Sequence, residues 1–170
     1  MNDFFKKVAI VVIAVMVSVA ANAQMQGEKA IGGNLVYGTG GTYSHTGIGV
    51  KYFYNVSDPI RLAGEFDFFP AKNYFSWWDL SMYGHYLFPV ADNIMLYPAV
   101  GLGMVGVKYA YKSTSSSTSG LALSLGGGAD FELSYNLILN LELRYKALDF
   151  SELGVSGNRT NLAIGLAYKF

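Results

Sequence analysis

The residues with the clearest potential for acid–base chemistry are Asp79, Ser81 and His85, which alternate with apolar residues along one segment. A histidine base beside a hydroxyl nucleophile and a carboxylate is the usual apparatus of covalent catalysis. In an extended strand, however, His85 and Ser81 would be about 13 Å apart, because the rise is about 3.3 Å per residue. A catalytic partner would have to come from another strand. The sequence therefore predicts no catalytic residues and no enzymatic activity.

Other kinds of chemistry are also disfavoured. The chain has no cysteine, and its histidines and carboxylates show no metal-site spacing. No glycine-rich loop follows a strand and opens a helix, as a phosphate-binding loop would. The 12 basic and 12 acidic residues are scattered, so no basic stripe could neutralise the phosphates of a nucleic acid. We expect no metal, no cofactor and no nucleic-acid partner.

The polar residues belong to segments in which apolar and small or polar residues alternate. In the last segment Leu162, Ile164 and Leu166 fall on one face, while Ala163 and Gly165 fall on the other. A period of two indicates β-strands, since a helix would scatter these residues around its circumference. Eight such segments follow one another and predict eight strands. Pro98 lies inside the fifth, where we expect a bulge or distortion.

The connections between the segments are of two kinds. Three are tight and rich in Asp, Asn, Ser and Pro, at residues 56–59, 90–93 and 134–136. Longer connections are predicted near residues 39–45, 70–76, 108–119 and 149–158. Short turns on one side and long loops on the other predict an antiparallel up-and-down meander with both termini on the short-turn side.

Size decides which face of the sheet points outward. About thirty-five bulky apolar side chains would not fit inside eight strands, which leave an interior just wide enough to be filled by side chains. The opposite face is rich in Gly, Ala and Ser and suits a narrow interior. Aromatic residues near strand ends predict two membrane-interface belts, one of Tyr74, Phe75, Trp77 and Trp78 and one of Tyr54, Phe88, Tyr97, Tyr135 and Phe170. Because hydrocarbon cannot satisfy a free strand edge, the first strand must pair with the eighth.

The charged residues then face the interior. The functional interpretation is a charged pore, and the alternative is a network of ion pairs that fills the interior and fixes strand register. We favour the filled interior, because both signs occur in similar number and eight strands leave little room. The predicted structural network consists of Lys51, Arg61, Glu65, Asp67, Asp79, His85, Asp130, Glu132, Glu142, Arg144 and Lys146, with Arg159 and Lys169 on the same face.

The first residues are typical of a secretory signal peptide. Lys6 and Lys7 precede an apolar run from Val8 to Ala20, which is followed by the small-x-small site Ala21-Asn22-Ala23. Thirteen apolar residues are too few for a transmembrane helix. We therefore expect residues 1–23 to be a signal peptide and residues 24–170 to form the exported barrel domain.

At this point the chain resembles the small eight-stranded bacterial outer-membrane β-barrels of the OmpA and OmpX type, without the peptidoglycan-binding domain. The resemblance rests on the signal peptide, on the glycine-rich run Leu96–Gly103, and on the C-terminal pattern. It implies an all-β, eight-stranded antiparallel transmembrane barrel in the bacterial outer membrane, reached by export through the inner membrane. It also implies that the barrel-assembly machinery reads the terminal strand through Leu162, Ile164, Leu166, Tyr168 and Phe170.

Four functions remain open for such a barrel. We expect a monomeric structural or surface-interaction protein that contacts outer-membrane lipids and lipopolysaccharide. The main alternative is a narrow small-solute porin or channel. Some barrels of this type are lipid-modifying enzymes, but residues 120–170 contain no histidine to match the His and Ser of the deacylases. A soluble exported barrel is the fourth. The low-complexity run Ser113–Ser119 is expected to form a mobile loop tip outside the cell.

Overall fold

The computed structural model of the protein describes residues 26–40, 43–72, 74–111, 114–150 and 155–170. The predicted signal peptide, residues 1–23, lies outside these residues. The strands of the described residues are β1 Lys29–Gly40, β2 Tyr43–Asn55, β3 Ile60–Lys72, β4 Phe75–Tyr86, β5 Phe88–Ala91, β6 Ile94–Tyr111, β7 Thr114–Ser134, β8 Leu137–Phe150 and β9 Val155–Lys169. In the part of the chain described, no helix is long and apolar enough to cross a membrane.

The strands form one closed antiparallel barrel. Neighbours in sequence pair with each other, and β1 pairs with β9, so the first and last strands close the sheet. β4 and β5 both pair with β6 and are two parts of a single crossing interrupted at Leu87. The nine segments therefore make eight crossings, and the predicted eight-stranded up-and-down barrel is confirmed. Closure leaves every crossing paired on both sides.

The stagger of the strands fixes the width of the barrel. A path perpendicular to the strands, followed from pair to pair, starts at Lys29 on β1 and returns to β1 at Thr39, ten residues further along. For eight strands this stagger gives a tilt of about 40° and a backbone radius of about 8 Å. Side chains about 6 Å long from opposite walls therefore meet in the middle.

The irregularity expected at Pro98 lies in the neighbouring strand. Pro98 pairs in register with Gly127 of β7, and β6 and β7 show no register shift. On its other side the pairing of β6 with β4 ends at Ala99 opposite His85 and resumes at Leu96 opposite Phe88, so Pro98 lies beside the gap at Leu87. Proline has no N–H and cannot donate a backbone hydrogen bond to the neighbouring strand. The distortion therefore lies in that strand, which lacks the donor for its carbonyl. The Leu87 N–H continues the ladder with β3, since it donates to the Pro59 carbonyl at 2.8 Å.

The connections at the far end differ from the predicted long loops. Residues 108–111 belong to β6 and residues 114–119 to β7, so the predicted mobile tip is largely a continued hairpin. β1 and β2, β3 and β4, and β8 and β9 also continue well into the predicted loops. Backbone pairing can extend beyond the apolar part of a strand, because serine and threonine fit an exposed sheet as well as a loop. The three short turns are as predicted.

The two faces of the wall follow the alternation. Leu141 is 37% exposed, whereas the side chain of its neighbour Glu142 is 4% exposed. Bulky apolar residues project outward all around the barrel, and most charged residues of the strands project inward. Two aromatics predicted for the interface belts face the interior instead: Tyr97 is 3% exposed, and Trp77 packs against buried interior side chains. For these two residues the belt prediction was wrong.

Candidate functional site in the barrel interior

The interior collects most of the charged residues of the strands. The structure buries nearly all of the predicted network residues, and none of the following is more than 5% exposed: Lys51, Arg61, Glu65, Asp67, Asp79, His85, Asp130, Glu142, Arg144 and Lys146. They come from five of the eight crossings and meet because alternate residues of every strand point inward. Glu132 lies apart from them, near the short-turn end.

The layer of the interior nearest the short turns, the lower layer, is organised around Arg61. The Arg61 Nη1 donates to Asp130 in an ion pair whose two side chains are both fully buried. Its Nε donates to His85 Nδ1 at 3.1 Å. The guanidinium carbon lies 4.3 Å from the Phe53 ring centroid and 4.6 Å from that of Tyr97. Arg61 thus receives a carboxylate in its plane and aromatic rings near its faces, which offsets part of the cost of burying its charge.

The middle layer contains two cations and two carboxylates that share partners. Lys51 Nζ lies 3.1 Å from Glu142 Oε1 and 3.6 Å from Glu65 Oε2. Arg144 Nη2 lies 2.7 Å from Glu65 Oε1 and 3.2 Å from Glu142 Oε2. Each carboxylate therefore contacts both cations. Such an arrangement links β2, β3 and β8 across the interior and penalises a change of register in any of them.

The upper layer continues the network towards the long hairpins. Lys146 forms an ion pair with Asp79 and also donates to Ser81 Oγ at 3.2 Å. The Ser81 hydroxyl donates to Asp79 Oδ1 at 2.6 Å. Asn34 Nδ2 donates to Asp67 Oδ1 at 3.0 Å, with Glu65 Oε1 at 3.3 Å. Polar side chains here bridge carboxylates that would otherwise repel one another.

Three neutral residues join the layers and were not part of the predicted network. The Tyr97 hydroxyl donates to Glu142 Oε1 at 2.9 Å and accepts from Asn140 Nδ2 at 2.5 Å. Asn140 Oδ1 accepts from Lys51 Nζ at 2.7 Å. Asn34 is the third. The sequence did contain a signal for Tyr97, because it has the same parity as the inward-facing Ala99, Gly101 and Gly103, and position in the alternation outweighs proximity to a strand end.

The structure does not assemble a catalytic group around His85. Its Nδ1 accepts a hydrogen bond from Arg61, and its ring stacks on Tyr97 with the centroids 4.5 Å apart. The Ser81 hydroxyl donates a hydrogen bond to Asp79 and accepts one from Lys146, so neither of these partners is a histidine. In the described part of the chain, no three His or carboxylate side chains form a group that could hold a metal ion. The interior is arranged for mutual pairing of its charges.

A separate ion-pair cluster lies at the short-turn mouth of the barrel. Lys169 Nζ is 2.7 Å from Glu132 Oε1 and 4.0 Å from Glu28 Oε1, and these side chains are 12%, 27% and 30% exposed. Partial burial raises the pKa of Glu28 above its ordinary value, and Glu132 adds to this effect while Lys169 opposes it. These side chains are partly exposed, so solvent screens this cluster more than the buried pairs deeper inside.

The predicted assembly residues lie along the outer face of β9. Leu162, Ile164, Leu166 and Tyr168 are each about half exposed, as lipid-facing residues are. Phe170 follows the strand, and its N–H donates to the Lys29 carbonyl at 3.0 Å, which holds the chain end against β1. This outer row contacts none of the interior charges.

Comparison with known proteins identifies this architecture. The model of the outer membrane protein beta-barrel domain family matches residues 8–170. The chain belongs to this family. A search of curated proteins gave no match. Membership places the apolar outer wall of the barrel in the bacterial outer membrane, and it confirms both the resemblance and the location predicted from the sequence.

Solved structures of other outer-membrane barrels have the same fold. Neisserial surface protein A is 15% identical with a TM-score of 0.66, covering 84% of this chain and 96% of its own. The attachment invasion locus protein Ail of Yersinia pestis is 21% identical with a TM-score of 0.62, covering 86% of this chain and all of its own. The N-terminal β-barrel domain of Pseudomonas aeruginosa OprF is 14% identical with a TM-score of 0.64, covering 86% and 100%. At these identities the likeness establishes the fold alone.

Proposed function

We propose that this outer-membrane barrel is a structural and surface-interaction protein whose filled interior conducts no solute. The observation that supports this most directly is the pairing of the buried charges. Among the described residues, Lys51, Arg61, Arg144 and Lys146 each lie in an ion pair with Glu65, Asp79, Asp130 or Glu142. A conducting pore of this width would need continuous water, and the paired side chains occupy that space.

Recording in planar lipid bilayers tests the closed interior. The purified, folded barrel should give no stable unitary conductance, whereas a sixteen-stranded porin in the same bilayers should give discrete steps. Reproducible unitary steps from this protein would favour the alternative, a narrow small-solute channel. The same preparation allows a second check, since single-residue neutralisation of Glu142 would change ion selectivity only if ions pass the middle layer.

The hairpin of β6 and β7 supports a role outside the cell. These are the longest strands described, with 18 and 21 residues, and their pairing continues to Tyr111 and Thr114. β8 pairs with β7 only from Leu121 onward. Within the described residues, the segment 114–120 of β7 therefore has β6 as its one strand neighbour. This segment contains no charged residue and no proline, which are the residues that usually prevent an exposed strand edge from pairing with another chain.

The direction of the free backbone groups follows from the ladder. The Glu132 N–H donates to the Asn93 carbonyl on the β6 side, so even-numbered residues of β7 point their backbone groups towards β6. The N–H and C=O groups of Ser115, Ser117 and Ser119 then point away from β6. An extended segment of a partner polypeptide could add to this edge as a further strand.

Attachment of bacteria to cultured epithelial cells tests this part of the proposal. A non-adherent strain displaying the protein should attach more than the empty-vector strain. Ser117→Pro removes an N–H on the free side and spares the ladder with β6, so attachment should fall, while the control Ser117→Ala should attach normally. Attachment equal to the empty vector would reject the surface role, and equal attachment of both variants would reject the edge.

We further infer that the barrel is monomeric, contacts lipopolysaccharide through its outer wall, and reaches the membrane through the barrel-assembly machinery. We also infer that it is not an enzyme, because His85 and Ser81 are each engaged by other interior side chains. Among its lipid-facing residues, bulky apolar groups surround the wall, so no single side is marked as a protein interface.

A further inference from the structure

Arg159 differs from the other buried cations of the barrel. Arg159 is only 6% exposed, yet no carboxylate of the described residues lies at ion-pair distance from its guanidinium. The carboxylates that act electrostatically on Arg159 are Asp79 and Asp67, and these are engaged by Ser81, Lys146 and Asn34. A buried guanidinium without a counter-charge is costly, so its surroundings must offset that charge in another way.

Aromatic rings hold the Arg159 guanidinium. Its central carbon lies 3.9 Å from the centroid of the Phe69 ring and 5.3 Å from that of Trp77. Gly38 leaves the space that the guanidinium occupies, because a side chain on residue 38 would overlap it. A guanidinium that lies over ring faces uses its charge in these contacts and not its N–H groups. The aromatic contacts of Arg159 therefore leave these donors unused.

Further unused donors lie beside Arg159. Gly38 pairs with His45 on one side and with Asn161 on the other, so these two residues flank the space that the guanidinium fills. The buried atoms without a hydrogen-bond partner include Arg159 Nη1 and Nη2, Trp77 Nε1, His45 Nε2, and both amide atoms of Asn161. All but the Asn161 oxygen can serve as donors. Several donors around one unpaired cation match a ligand with several acceptor oxygens and a negative charge.

This cluster lies at the end of the barrel that we place outside the cell. Trp77 is the third residue of β4, and Phe69 lies three residues from the end of β3. Arg159 is the fifth residue of β9, and His45 the third of β2. All four lie at the long-hairpin end, above the paired layers, and Trp77 is only partly buried. Exposed Lys72 and Lys108 near the same end favour the approach of anions.

We propose that Arg159, with Trp77, His45 and Asn161, forms a binding site for a phosphate-type oxyanion at the outer mouth of the barrel interior. The guanidinium would bind the oxyanion through its in-plane N–H groups, and the Trp77 indole N–H would donate to a further oxygen. The anion would supply the counter-charge that Arg159 lacks. Both inorganic phosphate and the phosphate of a lipid headgroup offer this chemistry.

The two tryptophans of the chain provide the test. The folded protein is prepared in amine oxide micelles without phosphate, and the indole N–H signals of Trp77 and Trp78 are followed by NMR. Trp78 faces outward on the same strand and serves as an internal control. Inorganic phosphate at constant ionic strength, and separately dodecyl phosphate in the micelle, should shift the Trp77 signal in a saturable way. The Trp78 signal should stay in place.

Two variants connect the shift to Arg159. Arg159→Gln should raise the dissociation constant about tenfold or more, because hydrogen bonds to a charged group are lost. Lys108→Gln removes a positive charge from the same end and should leave the constant within about twofold. A shift with inorganic phosphate supports a free anion, and a shift with dodecyl phosphate alone supports a headgroup. The proposal is overturned if neither probe shifts Trp77 in the unsubstituted protein, or if Arg159→Gln binds as well as Lys108→Gln.

Discussion

The ion pair between Arg61 and Asp130 should be the most sensitive point of the interior. Both side chains are fully buried, and Asp130 also accepts from Asn140 Nδ2 at 2.5 Å. Asp130→Asn keeps the shape and removes the negative charge, which leaves Arg61 as a dry cation. Breaking one side of a buried pair costs about 3–5 kcal/mol. Because Phe53 and Tyr97 still contact the guanidinium, we expect a loss near the lower limit, about 3 kcal/mol.

A double-mutant cycle separates pairing from packing. Arg61→Met removes the cation and should cost a similar amount, because Asp130 is then the unpaired charge. The double variant Arg61→Met/Asp130→Asn leaves no buried charge at this place, so its cost should fall below the sum of the single costs by about 2 kcal/mol or more. The matched control pair is Lys169 and Glu132, whose Nζ and Oε1 are 2.7 Å apart at the partly exposed mouth. Glu132→Gln there should cost about 0–1 kcal/mol.

Equilibrium unfolding by urea from lipid vesicles, followed by tryptophan fluorescence, measures these free energies. The m-values of the variants should match that of the unsubstituted protein, so that a shift in midpoint reports stability. A cost below about 1 kcal/mol for Asp130→Asn, with additive effects in the double variant, would refute the claim that the interior is dry and that its pairs hold the strands together.

Three further predictions concern the wall, the chain end and the absence of catalysis. Leu102→Arg places a charge on the lipid-facing side and should lower the unfolding free energy by about 2–4 kcal/mol in the same urea assay. A change of less than about 0.5 kcal/mol, which is typical of a surface substitution, would place Leu102 outside the hydrocarbon. Deletion of Phe170 should lower the amount of folded barrel in outer-membrane fractions by more than does Phe170→Tyr, and equal amounts would show that the terminal aromatic is not read during assembly. Expression of the protein should leave the lipid A acyl chains unchanged in mass spectra; a new acylation pattern that His85→Ala abolishes would make the barrel an enzyme.

The sequence by itself determined the fold and the side of the wall on which nearly every residue lies. Side chains of a strand alternate strictly, so the apolar series that includes Leu141 and Leu166 had to share one face, and the series with Glu142 the other. The size of the bulky series then required that it face lipid. Strict alternation also predicts that Tyr97 and Trp77 face the interior, as they do. Their position near strand ends had suggested the membrane interface instead.

Only the tertiary structure decided which interior residues meet. Arg61 and Asp130 are 69 positions apart, and Lys51 and Glu142 are 91 apart. Alternation places such residues inside but says nothing of their heights, which depend on strand register and on the ten-residue stagger around the closed barrel. The same stagger explains why Arg159 has no ion-pair partner among the described residues. The stagger places its guanidinium above the carboxylates and next to the aromatic rings of Phe69 and Trp77.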